Sequence, residues 1–193
     1  MAAVDEPQLS LFQLIRRRIE RPEQWVQEWF AVEDVEEYEG LDCKSVPEDP
    51  SCPCHVCVAG AVSVGLRDRY PKKRIRLFEF GEGWASILSY LVGKYMTTEA
   101  KAMISQKSPP PTADRLDLEA IERVKTYEVI SVESFNDLAL VTHEDVLWYL
   151  DRAKPIIDWF EQQRYVELHK TRKTPAALQG AELFAAWQRR AAG

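Results

Sequence analysis

Apolar side chains recur at three- and four-residue intervals through most of the chain, the spacing of helices with one buried face. Leu11, Leu14, Ile15 and Ile19 share one side while Arg16, Arg17 and Arg18 are available to the other, which predicts an amphipathic helix over residues 9–20. Pro22 suits the first turn of a second helix, where its missing N–H would have had no partner; Trp25, Val26, Trp29 and Phe30 would then form its stripe. From Ala31 to Pro53 the pattern gives way to Glu33, Asp34, Glu36, Glu37, Glu39, Gly40 and a cluster of prolines, so this segment is expected to be loop. Periodicity resumes at Cys54, where Val56, Cys57, Gly60, Ala61, Val64 and Gly65 fall toward one side of a helix. Glycine costs helix propensity, so its use there points to close packing.

The basic stretch Arg67–Arg76, interrupted by Pro71, fits either an extended piece or a short helix. Gly83 leads into Trp84, Ile87, Leu88, Leu91, Val92 and Tyr95, a buried face predicting a helix over about 83–96. Pro109, Pro110 and Pro111 should separate helices. A further helix is expected over Asp117–Glu128, with Leu116, Ala120, Ile121 and Val124 as its stripe; Val129–Ser134 reads as extended and Phe135-Asn136-Asp137 as a turn. Thr142 followed by Asp145 has the form of a capping box opening a helix on Val146, Tyr149, Leu150 and Ala153. Pro155 should kink that helix or start another carrying Ile156, Ile157, Trp159, Phe160, Tyr165 and Val166. Thr174, as cap, and Pro175 open a last, Ala-rich helix reaching Arg190, whose Leu183, Phe184 and Trp187 favour docking within the chain over docking on a partner. The fold class is therefore mainly α: a compact multi-helix single domain with room for a minor extended segment. Residues 1–173 form its helical core, with a Cys/Pro-rich loop at 40–54, and 174–193 a docking helix or extension.

Composition agrees with a globular chain. Of 193 residues 46% are apolar, with six Trp, seven Tyr and seven Phe to fill a core. Met1–Ser10 has no basic cluster followed by an apolar run, and Val56–Leu66 is too short to span a bilayer, so a cytoplasmic protein without a membrane partner is expected. The net charge of −6 hides blocks: residues 61–77 carry six basic and one acidic side chain, whereas 111–163 carry five basic and twelve acidic. Alternating blocks suit a protein partner better than a nucleic acid, which would ask for a continuous basic footprint.

Three stretches, Leu11 to Trp25, Cys57-Val58-Ala59-Gly60-Ala61, and Phe135-Asn136-Asp137 running through Thr142-His143-Glu144-Asp145-Val146 to Ala153, occur in an order that resembles a family of small uncharacterised bacterial and phage proteins. That family combines an early helix leading to Trp, a Cys-x-x-Gly-Ala core helix, and an Asn-Asp turn before a capped helix. The resemblance implies a compact helical domain in which Cys57 packs in the core, and it brings no chemistry to any named residue. The Cys-rich insertion before Cys57 and the aromatic C-terminal extension depart from the family pattern.

The candidate chemical groups are sparse. Cys43, Cys52, Cys54 and Cys57, with His55 among them, include enough soft ligands for a tetrahedral zinc site, but not two separated knuckle pairs; free thiols are the expectation, and no metal ligand or cofactor is assigned. His55, His143 and His169 are scattered, and neither Ser86 nor Ser134 sits in a nucleophile elbow. Gly81-Glu82-Gly83 lacks the length and the Lys-Ser/Thr ending of a phosphate loop. The acidic 28–39 segment fits a solvated helix end and loop as well as it fits a mimic of a phosphate backbone. Asn136-Asp137 is the most specific polar landmark, read as holding its own nearby backbone before the Thr142 helix. No catalytic residue is assigned. The resulting expectation is a noncatalytic binding or regulatory protein, phage-associated, acting through protein contacts. The alternative is an enzyme with an unconventional metal or small-molecule site drawn from the Cys-rich segment and Asn136-Asp137.

Overall fold

The computed structural model describes residues 9–27, 31–32, 55–73, 83–170, 172 and 174–192. Its first helix, α1 (Leu11–Arg17), opens on a capping box in which the Gln13 amide donates to Ser10 Oγ at 3.3 Å and the Ser10 amide donates to Gln13 Oε1 at 2.8 Å. Leu11, Phe12, Ile15 and, just past its end, Ile19 are buried. Of the three following arginines, Arg16 pairs with Asp151 and Arg18 with Asp68, so two of them clamp α1 to other elements.

The second helix expected from Pro22 does not form. Only a 3-10 turn spans Pro22–Gln24, and Trp25 is extended (φ −105°, ψ 140°), bridged in parallel to Val56 with the Val26 amide donating to the Val56 carbonyl at 3.3 Å. Local propensity yields here to tertiary hydrogen bonds: an extended chain carries Trp25, Val26 and Gln27 in succession past Asn136. Trp29 and Phe30 lie outside the described residues, as do 33–54 of the expected loop. Within that span's flanks, β1 (Ala31–Val32) pairs antiparallel with β2 (His55–Val56), Ala31 facing Val56, which supplies the minor extended element.

Helix α2 (Val58–Arg69) is capped by Cys57, whose Sγ accepts from the Gly60 amide at 3.4 Å. Val58 through Leu66 are buried without interruption, so this helix has core on every side rather than one stripe. Gly65 permits that: a Cβ there would lie 2.6 Å from Ile15 Cγ1 and 3.1 Å from the Ile15 backbone nitrogen. Arg67, Asp68 and Arg69, expected to begin a connection, are instead the last turn of α2, and Arg69 pairs with Glu161.

Helix α3 (Trp84–Gln106) runs ten residues beyond its expected end at 96, because Met96, Ala100 and Ile104 continue the buried stripe at steps of four. It is the hub of the domain. Gly93 passes so near the chain at Ile130 that a Cβ would sit 2.5 Å from the Ile130 carbonyl oxygen, and Thr97 Oγ1 accepts from the Ile130 amide at 3.0 Å. Helix α4 (Arg115–Thr126), capped reciprocally by Asp114 and Asp117, touches α3 and buries Ile121 and Val124; Leu116, expected in its buried stripe, is exposed. The extended segment expected over 129–134 is a correction too. Ser131 Oγ accepts from the Ser134 amide at 3.0 Å and starts a short helix, α5 (Val132–Asn136), that buries Val132, Phe135 and Asn136.

Helix α6 (His143–Gln162) begins at the expected capping box, Thr142 with Asp145, and continues through an exposed Pro155 as one element rather than two. The buried stripe runs unbroken from Val146 to Phe160, and that burial outweighs the backbone hydrogen bond lost at the proline, a cost of about 3 kcal/mol. Arg164 in a left-handed conformation (φ 54°) ends the run and turns the chain into α7 (Tyr165–Leu168). The last helix, α8 (Ala176–Ala191), starts behind Pro175 without the side-chain cap expected of Thr174. It docks on α3: Gly180 abuts Tyr90, and the Trp187 ring meets Tyr95 edge-on at 5.1 Å. The domain is compact and mainly α-helical. Among the described residues no helix is long and apolar enough to cross a membrane.

The α3 packing yields a direct test. Gly93→Ala gains up to about 1 kcal/mol of helix propensity but forces α3 off the Ile130 backbone. Urea unfolding should show a net loss of about 2 kcal/mol, whereas a gain in midpoint would contradict the close approach.

Candidate functional site

The densest polar cluster among the described residues is centred on Asn136, at the end of α5, which is fully buried. Its Oδ1 accepts from the Trp25 indole at 2.7 Å and from the Val58 amide at 3.3 Å. Its Nδ2 donates to the Val26 carbonyl at 3.1 Å and to Asp137 Oδ1 at 2.8 Å. A carboxamide offers two donor and two acceptor positions, and all four are taken. Gln27 completes the cluster by donating to the Asn136, Leu138 and Val141 carbonyls at 2.8, 3.1 and 3.2 Å. The expectation that Asn136 holds its own neighbouring backbone is thus too local. Its side chain joins the Trp25 segment and the start of α2 to α5, and it has no capacity left for a ligand.

The two imidazoles among the described residues lie toward opposite ends of α6. His143, the first residue of α6, donates from Nε2 to the Ile19 carbonyl at 2.7 Å and lies 5.9 Å from the Trp25 ring, tying α6 to the end of α1. A carbonyl only accepts, so Nε2 carries the proton. His169 stands beside Tyr165, past the far end of α6, and about 30 Å of helix separates the two regions. The His55 side chain is outside the described residues. Ser134 Oγ accepts from Ser131 Oγ at 3.0 Å, and Ser86 lies in the first turn of α3. Gly83 is the N-cap of α3 with φ 92°, matching the expected turn, while Gly81, Glu82 and residues 33–39 of the acidic segment are outside the described residues.

Cys57 is buried at the head of α2, and burial pushes its thiol up to about 12, the nearby Asp137 charge adding to the effect. A thiol so placed is protonated and unreactive at neutral pH. Cys43, Cys52 and Cys54 lie outside the described residues. Among the described residues no three His, Cys, Asp or Glu side chains gather in a way that could hold a metal ion.

Two open clefts stand out among the described residues. One, about 420 Å³, lies at the end of α1 between Arg17, Arg18, Arg21, Gln24 and Asp68, and is strongly polar. The other, about 400 Å³, lies where the start of α3, α7 and the start of α8 meet; Trp84, Ile87, Tyr165 and Leu183 give it apolar walls, with His169, Lys170, Arg172 and Glu182 around them. The surface has a third prominent feature on α4, where Leu116 is 72% and Leu118 45% exposed.

No protein-family model matches the chain, and no curated protein or solved structure matches it. The geometry alone therefore assigns the parts: the Asn136 cluster, His143 and Cys57 hold the fold, and the exposed features among the described residues include the α4 leucines, Leu168 on α7, Leu178 on α8 and the two clefts. Sequence reasoning singled out the first three residues because they are polar or soft in apolar surroundings. It missed Leu116 and Leu118 as surface groups, since spacing alone cannot tell a stripe that is covered from one that is not.

Two outcomes follow. Asn136→Ala should cost about 3 kcal/mol or more, because it strands the Trp25 indole, the Val58 amide and the Val26 carbonyl; an unchanged thermal transition would contradict the structural role. Site-resolved mass spectrometry after alkylation at pH 8 should find Cys57 modified only as fast as the domain opens, so that added urea accelerates it steeply. Rapid labelling without denaturant would mean that its burial is wrong.

Proposed function

We propose that this is a noncatalytic binding protein acting through protein contacts in the cytoplasm, of the small bacterial and phage helical type that it resembles, with α4 as its contact element. The observation that carries this reading is the pair of exposed leucines on the first turn of α4. At 100° per residue Leu116 and Leu118 fall on opposite flanks of the stripe made by Ala120, Ile121 and Val124, so the apolar arc of α4 is wider than the part α3 covers. Asp114, Asp117 and Glu119 rim the leucines, together with Arg115, which is paired with Glu119 at 2.8 Å. The matching partner is a protein with an apolar pocket edged by basic side chains, able to clasp the first turn of the helix. The enzyme alternative is weakened by the saturated Asn136 amide and by the buried Cys57, two of the groups on which it would draw.

The test pairs capture with a variant. Protein recovered reproducibly by the wild type from its host should be lost with Leu116→Glu/Leu118→Glu, whose thermal transition stays near the wild-type value because both side chains already face water. Two leucines buried at a contact are together worth about 3 kcal/mol, roughly a hundredfold in Kd. Equal recovery by both proteins, or no reproducible partner at low and moderate salt, would reject α4 as the contact element.

A further inference from the structure

The cleft between α3, α7 and α8 has a construction separate from the α4 surface and is independent of the reading above. Its walls are held from behind. Trp84 meets Phe160 edge-on at 6.0 Å, and Tyr165 packs between Trp159 at 6.0 Å and Phe160 at 6.1 Å, so both aromatic walls are braced by the buried end of α6. Tyr165 is placed there by Arg164, the one residue other than glycine with positive φ among the described residues. An L side chain in that conformation is strained, and the ion pair from Arg164 to Glu167 helps to hold it. Gln179, buried near the start of α8, donates from Nε2 to the Thr174 carbonyl at 2.6 Å.

The charges are unevenly satisfied. Arg172 meets Glu182 at 3.3 Å, a pair exposed on both sides. Lys170 is exposed and has no carboxylate or other partner among the described residues. His169 adds two ring nitrogens at the same lining, next to Tyr165 at 5.9 Å. A volume of about 400 Å³ is within the range of small-molecule sites. Flat apolar walls ask for a ring, and the unpaired ammonium asks for an anion.

We infer that the α3–α7–α8 cleft is a binding site for a small planar aromatic monoanion, its ring held between Trp84 and Tyr165 and its carboxylate or comparable anionic group on Lys170. The ring gains contact with two fixed surfaces at little ordering cost to the protein, since both are already packed. The anion gains a charge-assisted contact that no side chain of the described residues supplies.

The experiment titrates the full chain with 1-naphthoate, and in parallel with uncharged 1-naphthamide, following the indole and methyl signals by two-dimensional NMR. Saturable shifts should centre on the Trp84 indole, Ile87 and Leu183, with naphthoate binding at least about fivefold more tightly than the amide. Lys170→Glu should weaken naphthoate by about tenfold while leaving the amide unchanged, and Lys170→Arg should restore most of the loss. Because Lys170 is exposed, neither variant should move the thermal transition, so loss of binding cannot be ascribed to unfolding. No saturable shift up to about 10 mM naphthoate, equal affinity for acid and amide, shifts centred on α4, or indifference to Lys170→Glu would each overturn the assignment.

Discussion

A single buried carboxamide couples parts of this domain that local structure leaves independent. Asn136 receives the indole of a chain segment that is neither helix nor sheet, receives the leading amide of the most buried helix, and returns a hydrogen bond to the Val26 carbonyl. Removing these groups from water is unfavourable unless each finds a partner, and here one side chain serves three of them. The consequences spread outward. Trp25 is drawn inward by its indole and reaches His143, and His143 in turn fastens the head of α6 to the end of α1. Gln27, one turn of extended chain further on, holds the carbonyls around the α5–α6 junction.

Around that node the helices close by omission of side chains as much as by their presence. Gly65 admits Ile15, Gly93 admits the Ile130 backbone, and Gly180 admits Tyr90, so three pairs of elements approach more closely than any Cβ would allow. Each of these glycines weakens its own helix by about 1 kcal/mol, and the loss is offset by the apolar area that the close approach removes from water. Helix α3 takes part in two of the three contacts, which explains how a 23-residue helix can carry neighbours on several faces. At its end α4 departs from the pattern, since only Ile121 and Val124 are buried and the first turn reaches past the core.

Polar groups in this domain divide into those used by the fold and those left to solvent. Desolvation raises the Asp145 carboxyl, but the hydrogen bonds from Lys107 and Thr142 outweigh it and hold the group below its ordinary value, so it remains a charged cap on α6. Cys57 goes the other way, with burial keeping the thiol protonated. Both residues resemble chemical groups in isolation, and both are occupied at helix starts. Lys170, by contrast, stands at a braced cleft without a counter-ion among the described residues, and the α4 leucines stand at a helix start without cover.

Several elements are legible in the sequence because their causes are local. The Thr142–Asp145 box, the stripe from Val146 to Ala153, the Gly83 turn and the proline stop after α3 all depend on groups within a few residues of one another. Other features have no local cause. Pro22 to Phe30 carries a good helical stripe, yet Trp25 is extended because a residue 111 positions away accepts its indole hydrogen. Val129 to Ser134 has β-branched side chains, yet a serine cap and the burial of Phe135 turn part of it into helix. Periodicity also placed Leu116 in a buried face, and only the docking of α4 on α3 decides that it is wet. The sequence by itself determined the helical class, most helix starts and the apolar content of the core, since propensity, capping and spacing act over one or two turns. The tertiary structure alone decided which apolar faces are covered, what Asn136 joins, and which cations are left unpaired, because those depend on contacts between residues distant in the chain.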